Sequence, residues 1–342
     1  MSPKSPIHLG HELIERLSIE PFIPNIYLQS GLLQTIATQF WPRNILRKGH
    51  DMHFVQLDDG DKICLVEMKP SKEINAVLVL VHGLNGDYQS HYIQRMAMQS
   101  NQEGWLVYCV NLKNCGPSLG YSKTIYNAGN SSDVIQVLRW VKSRHSNIPR
   151  FLCGYSLGGN ISLKAMGEVE PNLLQGGAVI STPVDLLASA NKLAQPKNRL
   201  VNRNLFKHCL RQFEAMKFNL ENPPYYVPSK SDLLKDFDEN ITAPMAGYSN
   251  AEEYYRKCSS IQTSSNVKIP VLILSSSDDP IVDHSYLSIT QKNPNLEHLI
   301  TNHGGHLGFI QHGTNGIHWL EDTLCVWFKS LLKNMNIRLN LA

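Results

Sequence analysis

The pentapeptide Gly154-Tyr155-Ser156-Leu157-Gly158 has the spacing G-x-S-x-G, in which small flanking residues let the chain turn sharply and hold a serine hydroxyl exposed and strained. Such a hydroxyl attacks a carbonyl carbon once a neighbouring base takes its proton, which is the chemistry of acyl transfer. The pentapeptide alone is weak, because it arises by chance in roughly one chain in ten of this length. Its surroundings strengthen it. Phe151-Leu152-Cys153 before it is a short apolar strand and Asn160 to Met166 after it suits a helix, giving the strand-turn-helix that the motif requires.

Histidine is the base whose ordinary pKa suits proton transfer near neutral pH. Of fourteen histidines, His306 stands out, because Asn302-His303-Gly304-Gly305-His306-Leu307-Gly308 follows the last apolar strand and its glycines free a loop to return toward the serine. Most of the others lie in polar or N-terminal stretches and read as surface side chains. His303, His306, His312 and His318 have neither regular helical spacing nor carboxylate company, so no metal site is expected. The carboxylate that orients the imidazole should leave a strand between serine and histidine. Val271 to Ser275, followed by Ser276-Ser277-Asp278-Asp279-Pro280, supplies two adjacent candidates, of which only one can point at the histidine. The developing oxyanion needs backbone donors. His82-Gly83-Leu84-Asn85-Gly86 directly follows the apolar run Ala76 to Val81, and the donors are assigned to the amides of Leu84 and Leu157.

These groups need a scaffold that brings strand ends together. Val, Ile and Leu dominate the runs Ala76 to Val81, Leu106 to Val110, Phe151 to Gly154, Ala178 to Ser181, Val271 to Ser275 and Glu297 to Ile300 without strict alternation, as in a parallel sheet covered on both faces. Helical stretches, notably Ser132 to Arg144, Leu157 to Glu168 and Trp319 to Leu332, lie among or after them. The alternation predicts an α/β fold with an open, mostly parallel central sheet flanked by helices. Ahead of it, His53 to Leu57 and Lys62 to Met68 form a hairpin across Asp58-Asp59-Gly60-Asp61, read as a solvated turn.

From Val184 to Ile261 the rhythm breaks into helical patterns, Pro223-Pro224 and Pro228 breakers and many aromatics. A connection of that length without structure of its own is improbable in a compact domain. Residues 184–261 are therefore read as a helical cap inserted into a core of 50–183 and 262–342, with 1–49 an N-terminal segment packing on the core. Within the cap, Arg199, Arg203, Lys207 and Arg211 recur every fourth residue and form one basic stripe if that stretch is helical. A solvated face and a face drawn to anionic lipid both fit such a stripe.

The chain has 342 residues, 42% apolar and 18% charged, with a formal charge of +3. That balance speaks against disorder and against nucleic acid as a partner. Met1 to His8 carries no uninterrupted apolar stretch of the kind a secretory signal or anchor needs, so a cytoplasmic protein is expected. The seven cysteines are scattered with no C-x-x-C pair and read as reduced thiols, Cys109 and Cys153 filling strand positions.

The assembled pieces resemble the YheT-like branch of the α/β-hydrolases, which includes bacterial hydrolases and eukaryotic lipases and esterases, over nearly the whole chain. The most specific are Leu33-Gln34-Thr35, His82-Gly83-Leu84, Gly154-Tyr155-Ser156-Leu157-Gly158-Gly159-Asn160, Ile241-Thr242-Ala243, Gly247-Tyr248, Tyr254-Tyr255, Asp278-Asp279-Pro280 and Gly304-Gly305-His306-Leu307-Gly308-Phe309. The resemblance implies the α/β-hydrolase fold and hydrolysis of carboxylic esters by a Ser-Asp-His triad. It also implies a small-molecule or lipid ester as substrate, several relatives acting on acylglycerols or phospholipids, and the mechanism requires no cofactor. In related hydrolases the acid lies directly before a turn residue and three positions before an apolar anchor. Pro280 and Val282 match that pattern for Asp279, leaving Asp278 as a helper or a solvated neighbour. Two departures are Leu32, where the family often has histidine, and Lys113-Asn114, where bacterial relatives carry Arg-Gly. An acyltransferase on the same triad, and a binding protein that keeps the fold without turnover, stand as the alternatives.

Overall fold

In the computed structural model of the protein, the structure describes residues 10–40, 50–312 and 318–340. The strands are β1 (Asp51–Gln56), β2 (Lys62–Met68), β3 (Ala76–Val81), β4 (Trp105–Asn111), β5 (Arg150–Tyr155), β6 (Gly176–Ile180), β7 (Val271–Ser276) and β8 (Leu296–Thr301). They form one sheet in the order β1-β2-β4-β3-β5-β6-β7-β8. The β1–β2 and β2–β4 pairings are antiparallel and all others parallel.

The helices are α1 (His11–Leu17), α2 (Gly31–Phe40), α3 (His91–Gln102), α4 (Ser131–Arg144), α5 (Leu157–Glu168), α6 (Leu186–Leu193), α7 (Arg199–Met216), α8 (Ala251–Cys258) and α9 (Trp319–Asn340), with shorter turns between. Successive strand residues point to opposite faces, and β3 is buried throughout because both of its faces are covered. Val77, Val79 and Val81 pack with Val134, Leu138 and Val141 of α4 and Ile161 of α5. Leu78 and Leu80 pack on the other side with Ile93 and Met96 of α3, Leu324 and Phe328 of α9, and Leu13 of α1. Each such side chain contributes about 1.5–3 kcal/mol on burial. Val79→Asp would cancel several such contributions by placing a carboxylate between the layers.

Strand order runs outward from β3 to β4 in one direction and from β5 to β6, β7 and β8 in the other. The sheet therefore has its switch point between β3 and β5, and the crevice at the carboxyl ends of those strands is where such sheets hold ligands.

Two expectations need correction. Asp61 does not belong to a solvated turn. It is 5% exposed, accepts the Lys123 N–H at 2.8 Å and the Thr124 hydroxyl at 2.7 Å, and pairs with the buried Lys113 at 3.1 Å. The hairpin is thereby tied to the segment after β4, and Lys113 is a structural cation. His298 sits inside β8, 7% exposed, its Nε2 2.9 Å from the Thr290 hydroxyl. Helix α9 continues past Leu332 to Asn340.

Between β6 and β7 the chain is largely helical. Helix α7 buries Asn202, Phe206, Cys209, Phe213 and Met216, while Arg199, Arg203, Lys207 and Arg211 are all exposed. Of the N-terminal segment, residues 1–9 and 41–49 lie outside the described residues. All seven cysteines are buried and free. No helix among the described residues is long and apolar enough to cross a membrane.

Candidate active site

Ser156 stands between β5 and α5 with φ 52 and ψ −122, a left-handed backbone that an ordinary side chain adopts only when its surroundings enforce it. They do so by close approach. A Cβ on Gly158 would lie 2.1 Å from the His82 carbonyl oxygen, so the first turn of α5 can pack on the end of β3 only because position 158 has none. The hydroxyl is thereby turned out of the sheet, and only partly buried.

His306 comes from the loop after β8. Its Nε2 is 2.8 Å from Ser156 Oγ and its Nδ1 is 2.9 Å from Asp279 Oδ2. Asp279 follows β7 and is 1% exposed. Its other oxygen accepts the N–H groups of Ile281 at 2.8 Å and Val282 at 3.0 Å. Burial alone would raise this carboxyl. The adjacent His306 ring and its hydrogen bond, with the two backbone donors, more than offset burial and hold the group below its ordinary value. An ionised Asp279 fixes the proton of His306 on Nδ1, which leaves Nε2 to accept from the serine.

The turn after β3 lies against Ser156, since a Cβ on Gly83 would be 3.0 Å from Ser156 Cβ. His82 holds the turn from beneath. It is fully buried, its Nδ1 donates to the Gly83 carbonyl at 2.8 Å, and its Nε2 accepts the Leu112 N–H at 3.2 Å. Burial keeps its pKa low, against the pull of that carbonyl, so it serves as a neutral strut. Leu157 is the first residue of α5, where the N–H has no partner within the helix. Among the described residues the Leu84 N–H has no backbone acceptor either.

Several contributors lie outside the residues singled out from the sequence for chemistry. Thr35 Oγ1 accepts the His306 N–H at 2.8 Å, and Gln34 accepts the Ile310 N–H at 2.8 Å while donating to the Ile310 carbonyl at 2.9 Å. Gln34 and Thr35 thus act as a clamp on the histidine loop. The fit is close: Gly305, at φ 57, would put a Cβ 2.1 Å from the Gly31 carbonyl. Asp278, the other candidate named from the sequence, accepts the Gly305 N–H through Oδ1 at 2.9 Å. From α6, Lys192 donates to the Val282 carbonyl at 2.6 Å and Ser189 accepts the Asp283 N–H at 3.2 Å, so that helix grips the acid loop. The spacing Leu-Gln-Thr was the visible signal for the clamp; nothing local marks Lys192.

A cavity of about 210 Å³ opens over Ser156, walled by Leu157, Leu186, Leu193, Leu205 and Tyr254. A wider and more polar cleft adjoins it, sharing His306 and Leu205 with it and running between α2 and α7, lined also by Thr35, Asn85, Ser90 and Asn204. Among the described residues no cluster of side chains could hold a metal ion.

The chain is similar to the esterase-named YheT protein of Escherichia coli, with 29% identity over 91% of this chain and 94% of that one. It is 28% identical to the medium-chain fatty acid ethyl ester synthase/esterase 2 of Saccharomyces cerevisiae, over 77% of this chain. The match spans 64% of that yeast protein, less than two thirds of its length. It is also 28% identical to human phospholipase ABHD3, over 85% of this chain and 74% of that one. Among solved structures, the Pyrococcus furiosus esterase Pf2001 superposes with a TM-score of 0.55 at 14% identity, covering 83% of this chain and 95% of that one. At that identity the likeness is one of fold. Residues 76–313 match the alpha/beta hydrolase fold family, and with the sheet order and strand-end loops described above, the chain belongs to that family.

Proposed function

We propose that the protein is a serine hydrolase of carboxylic esters, with Ser156 as nucleophile, His306 as base and Asp279 as orienting acid. The observation that carries this reading is the continuous hydrogen-bonded chain Ser156–His306–Asp279, with distances of 2.8 and 2.9 Å. Ser156 Oγ attacks the ester carbonyl as its proton passes to His306 Nε2. The Leu84 and Leu157 amides receive the oxyanion, and His306 then protonates the departing alcohol. Water, activated by the same imidazole, releases the acid. The proposed substrate is an acylglycerol, a phospholipid or a short acyl ester, in keeping with the names of the relatives. Residues 184–261 are proposed to act as a cap, with the basic stripe on α7 drawing the protein transiently to anionic lipid.

The test is hydrolysis by the purified protein across p-nitrophenyl esters and acylglycerols of graded chain length. No turnover of any of them would refute the reading. Transfer of the acyl group to an alcohol in place of water is a second reading, favoured by the yeast relative's name as a synthase/esterase. The ratio of ethyl ester to free acid formed with added ethanol separates the two.

A further inference from the structure

One carboxyl over the site has no part in the reaction above. Asp238 opens a π-helical turn, Asp238–Thr242, a rare geometry that recurs at functional sites. It lines the cavity over Ser156 and also a smaller recess of about 40 Å³ that shares Leu84, Leu157 and Tyr254 with that cavity. Tyr255 Oη donates to Asp238 Oδ2 at 2.6 Å. A carboxylate has about four acceptor positions, so capacity remains. Asn85 stands on the same recess. Its Nδ2 donates to Cys209 Sγ at 3.3 Å, while its Oδ1 is buried with no partner among the described residues.

A buried acceptor without a donor is destabilising, and this recess presents two acceptors of which one is wholly unmet. A single polar group fits there, since a water needs only some 10–15 Å³. Tyr254, on the shared wall, accepts the Ala128 N–H at 2.9 Å and has its own phenolic proton to give. A guest that donates to one of the two acceptors and accepts from Tyr254 suits the recess. A hydroxyl can do both, with its single proton going to Asp238 or Asn85, whereas an ammonium can only donate.

The recess shares Leu157, Asp238 and Tyr254 with the cavity over Ser156, Asn85 with the cleft, and Leu84 with both, so it joins mainly the cavity. His306 must reach the leaving oxygen, so the alcohol part belongs in the cleft that His306 lines without Ser156. The acyl part then occupies the cavity walled by Ser156, Leu157 and Asp238. Because the recess is bounded by Leu84 and Leu157, the two residues assigned to the oxyanion, a hydroxyl entering it sits close to the ester carbonyl.

We propose that Asp238, Asn85 and Tyr254 form a hydroxyl-reading subsite, so that the enzyme prefers esters of 3-hydroxy acids over plain fatty acyl esters of the same length. The inference rests on the esterase reading above.

The experiment compares kcat/KM of the full chain for ethyl octanoate, both enantiomers of ethyl 3-hydroxyoctanoate, and ethyl 8-hydroxyoctanoate, following acid release. A hydrogen bond to a charged group is worth about 1.5–3 kcal/mol, so one 3-hydroxy enantiomer is expected to exceed ethyl octanoate about tenfold or more. Asp238→Leu should bring that ratio close to one. Tyr255→Phe, which removes the supporting hydrogen bond but keeps the carboxyl, should preserve it; a merely structural Asp238 would make the two variants alike. Calorimetric binding of 3-hydroxyoctanoate against octanoate by Ser156→Ala reads the same preference without turnover and without altering the subsite. If the parent protein favours ethyl octanoate or the 8-hydroxy ester, or Ser156→Ala binds both acids equally, the subsite is refuted and the esterase reading stands. If none of the esters is hydrolysed and Ser156 resists acylating probes, the esterase reading falls and the subsite with it.

Discussion

The backbone N–H of His306 donates to Thr35 Oγ1 at 2.8 Å, so a residue 271 positions earlier in the chain fixes the proposed base. Thr35 itself donates to the Gly31 carbonyl at 2.6 Å, which aims its lone pair at the histidine loop. Thr35→Val keeps the shape and removes the acceptor, leaving a buried N–H unpaired at a local cost of about 1–3 kcal/mol. Because a misplaced base acts on the chemical step, kcat should drop about 10- to 100-fold with KM little changed. Thr35→Ser should restore most of it. Equal losses in both variants would show that packing of the methyl group, and not the hydroxyl, matters here.

Ser156 is expected to be the site of covalent labelling by a fluorophosphonate probe, with Ser156→Ala abolishing both labelling and ester turnover above a small residual. That residual is allowed, since oxyanion donors catalyse weakly without their nucleophile. Labelling that persists in the variant, located by peptide mass spectrometry, would move the nucleophile elsewhere.

Ser156, Asp279 and His306 are legible in the sequence because each sits in a short glycine- or proline-punctuated pattern next to a continuous apolar strand. β3, β5 and β7 are buried on both faces and so carry a one-sided composition that survives any register. What escapes is whatever pairs at long range or hides in polar composition. Asp61 reads as part of a hydrated turn because its partner Lys113 is remote. Helix α3 is rich in Gln, Asn and Ser, yet buries Tyr92, Ile93, Met96 and Ala97 on one face, a pattern its polar residues obscure. Nothing local marks Lys192, and only the folded chain brings it to the Val282 carbonyl.

Asp238 should leave a signature in stability as well as in specificity. Burial pushes its carboxyl from the ordinary 3.8 up to about 6, against the hydrogen bonds from Tyr255 and Thr242. Between those values the folded protein holds a proton that the unfolded chain has released. Stability therefore declines as pH rises from about 4 to about 6 and stays reduced above. Asp238→Asn carries no charge to bury and escapes that loss. Thermal unfolding should place the variant above the parent at pH 8, with the gap closing toward pH 4. A gap of opposite sign at pH 8 would mean that the carboxylate is better compensated than burial implies.

The exposed stripe Arg199, Arg203, Lys207 and Arg211 should draw the protein to anionic vesicles, each cation contributing about 1 kcal/mol near such a surface. Co-sedimentation with phosphatidylglycerol vesicles should fall when salt is raised from 0.05 to 0.5 M, as the Debye length shrinks. It should fall likewise when all four residues are changed to Gln. Vesicle binding indifferent to both would leave the stripe as an ordinary solvated face.

The two adjacent carboxylates, Asp278 and Asp279, should separate clearly when each becomes Asn. Asp279 Oδ1 accepts two N–H groups, from Ile281 and Val282, while Oδ2 accepts the His306 Nδ1 proton. In Asp279→Asn the single carbonyl oxygen must stay with the two backbone donors, which turns the amide NH₂ toward His306. Nδ1 then has to accept, its proton moves to Nε2, and the ring can no longer take the proton of Ser156. A wrong tautomer of this kind costs about 10⁴ in kcat in a serine protease, and a loss of that order is expected here. Asp278 hydrogen-bonds the loop through Oδ1, which accepts the Gly305 N–H, while Oδ2 lies 3.5 Å from His303 Nδ1, and Asn offers the first acceptor unchanged. Asp278→Asn should therefore cost less than about tenfold in kcat, because an equivalent hydrogen bond remains. With both variants shown to be folded by circular dichroism, the reverse ranking would assign the orienting role to Asp278 and leave the nucleophile and base where they are.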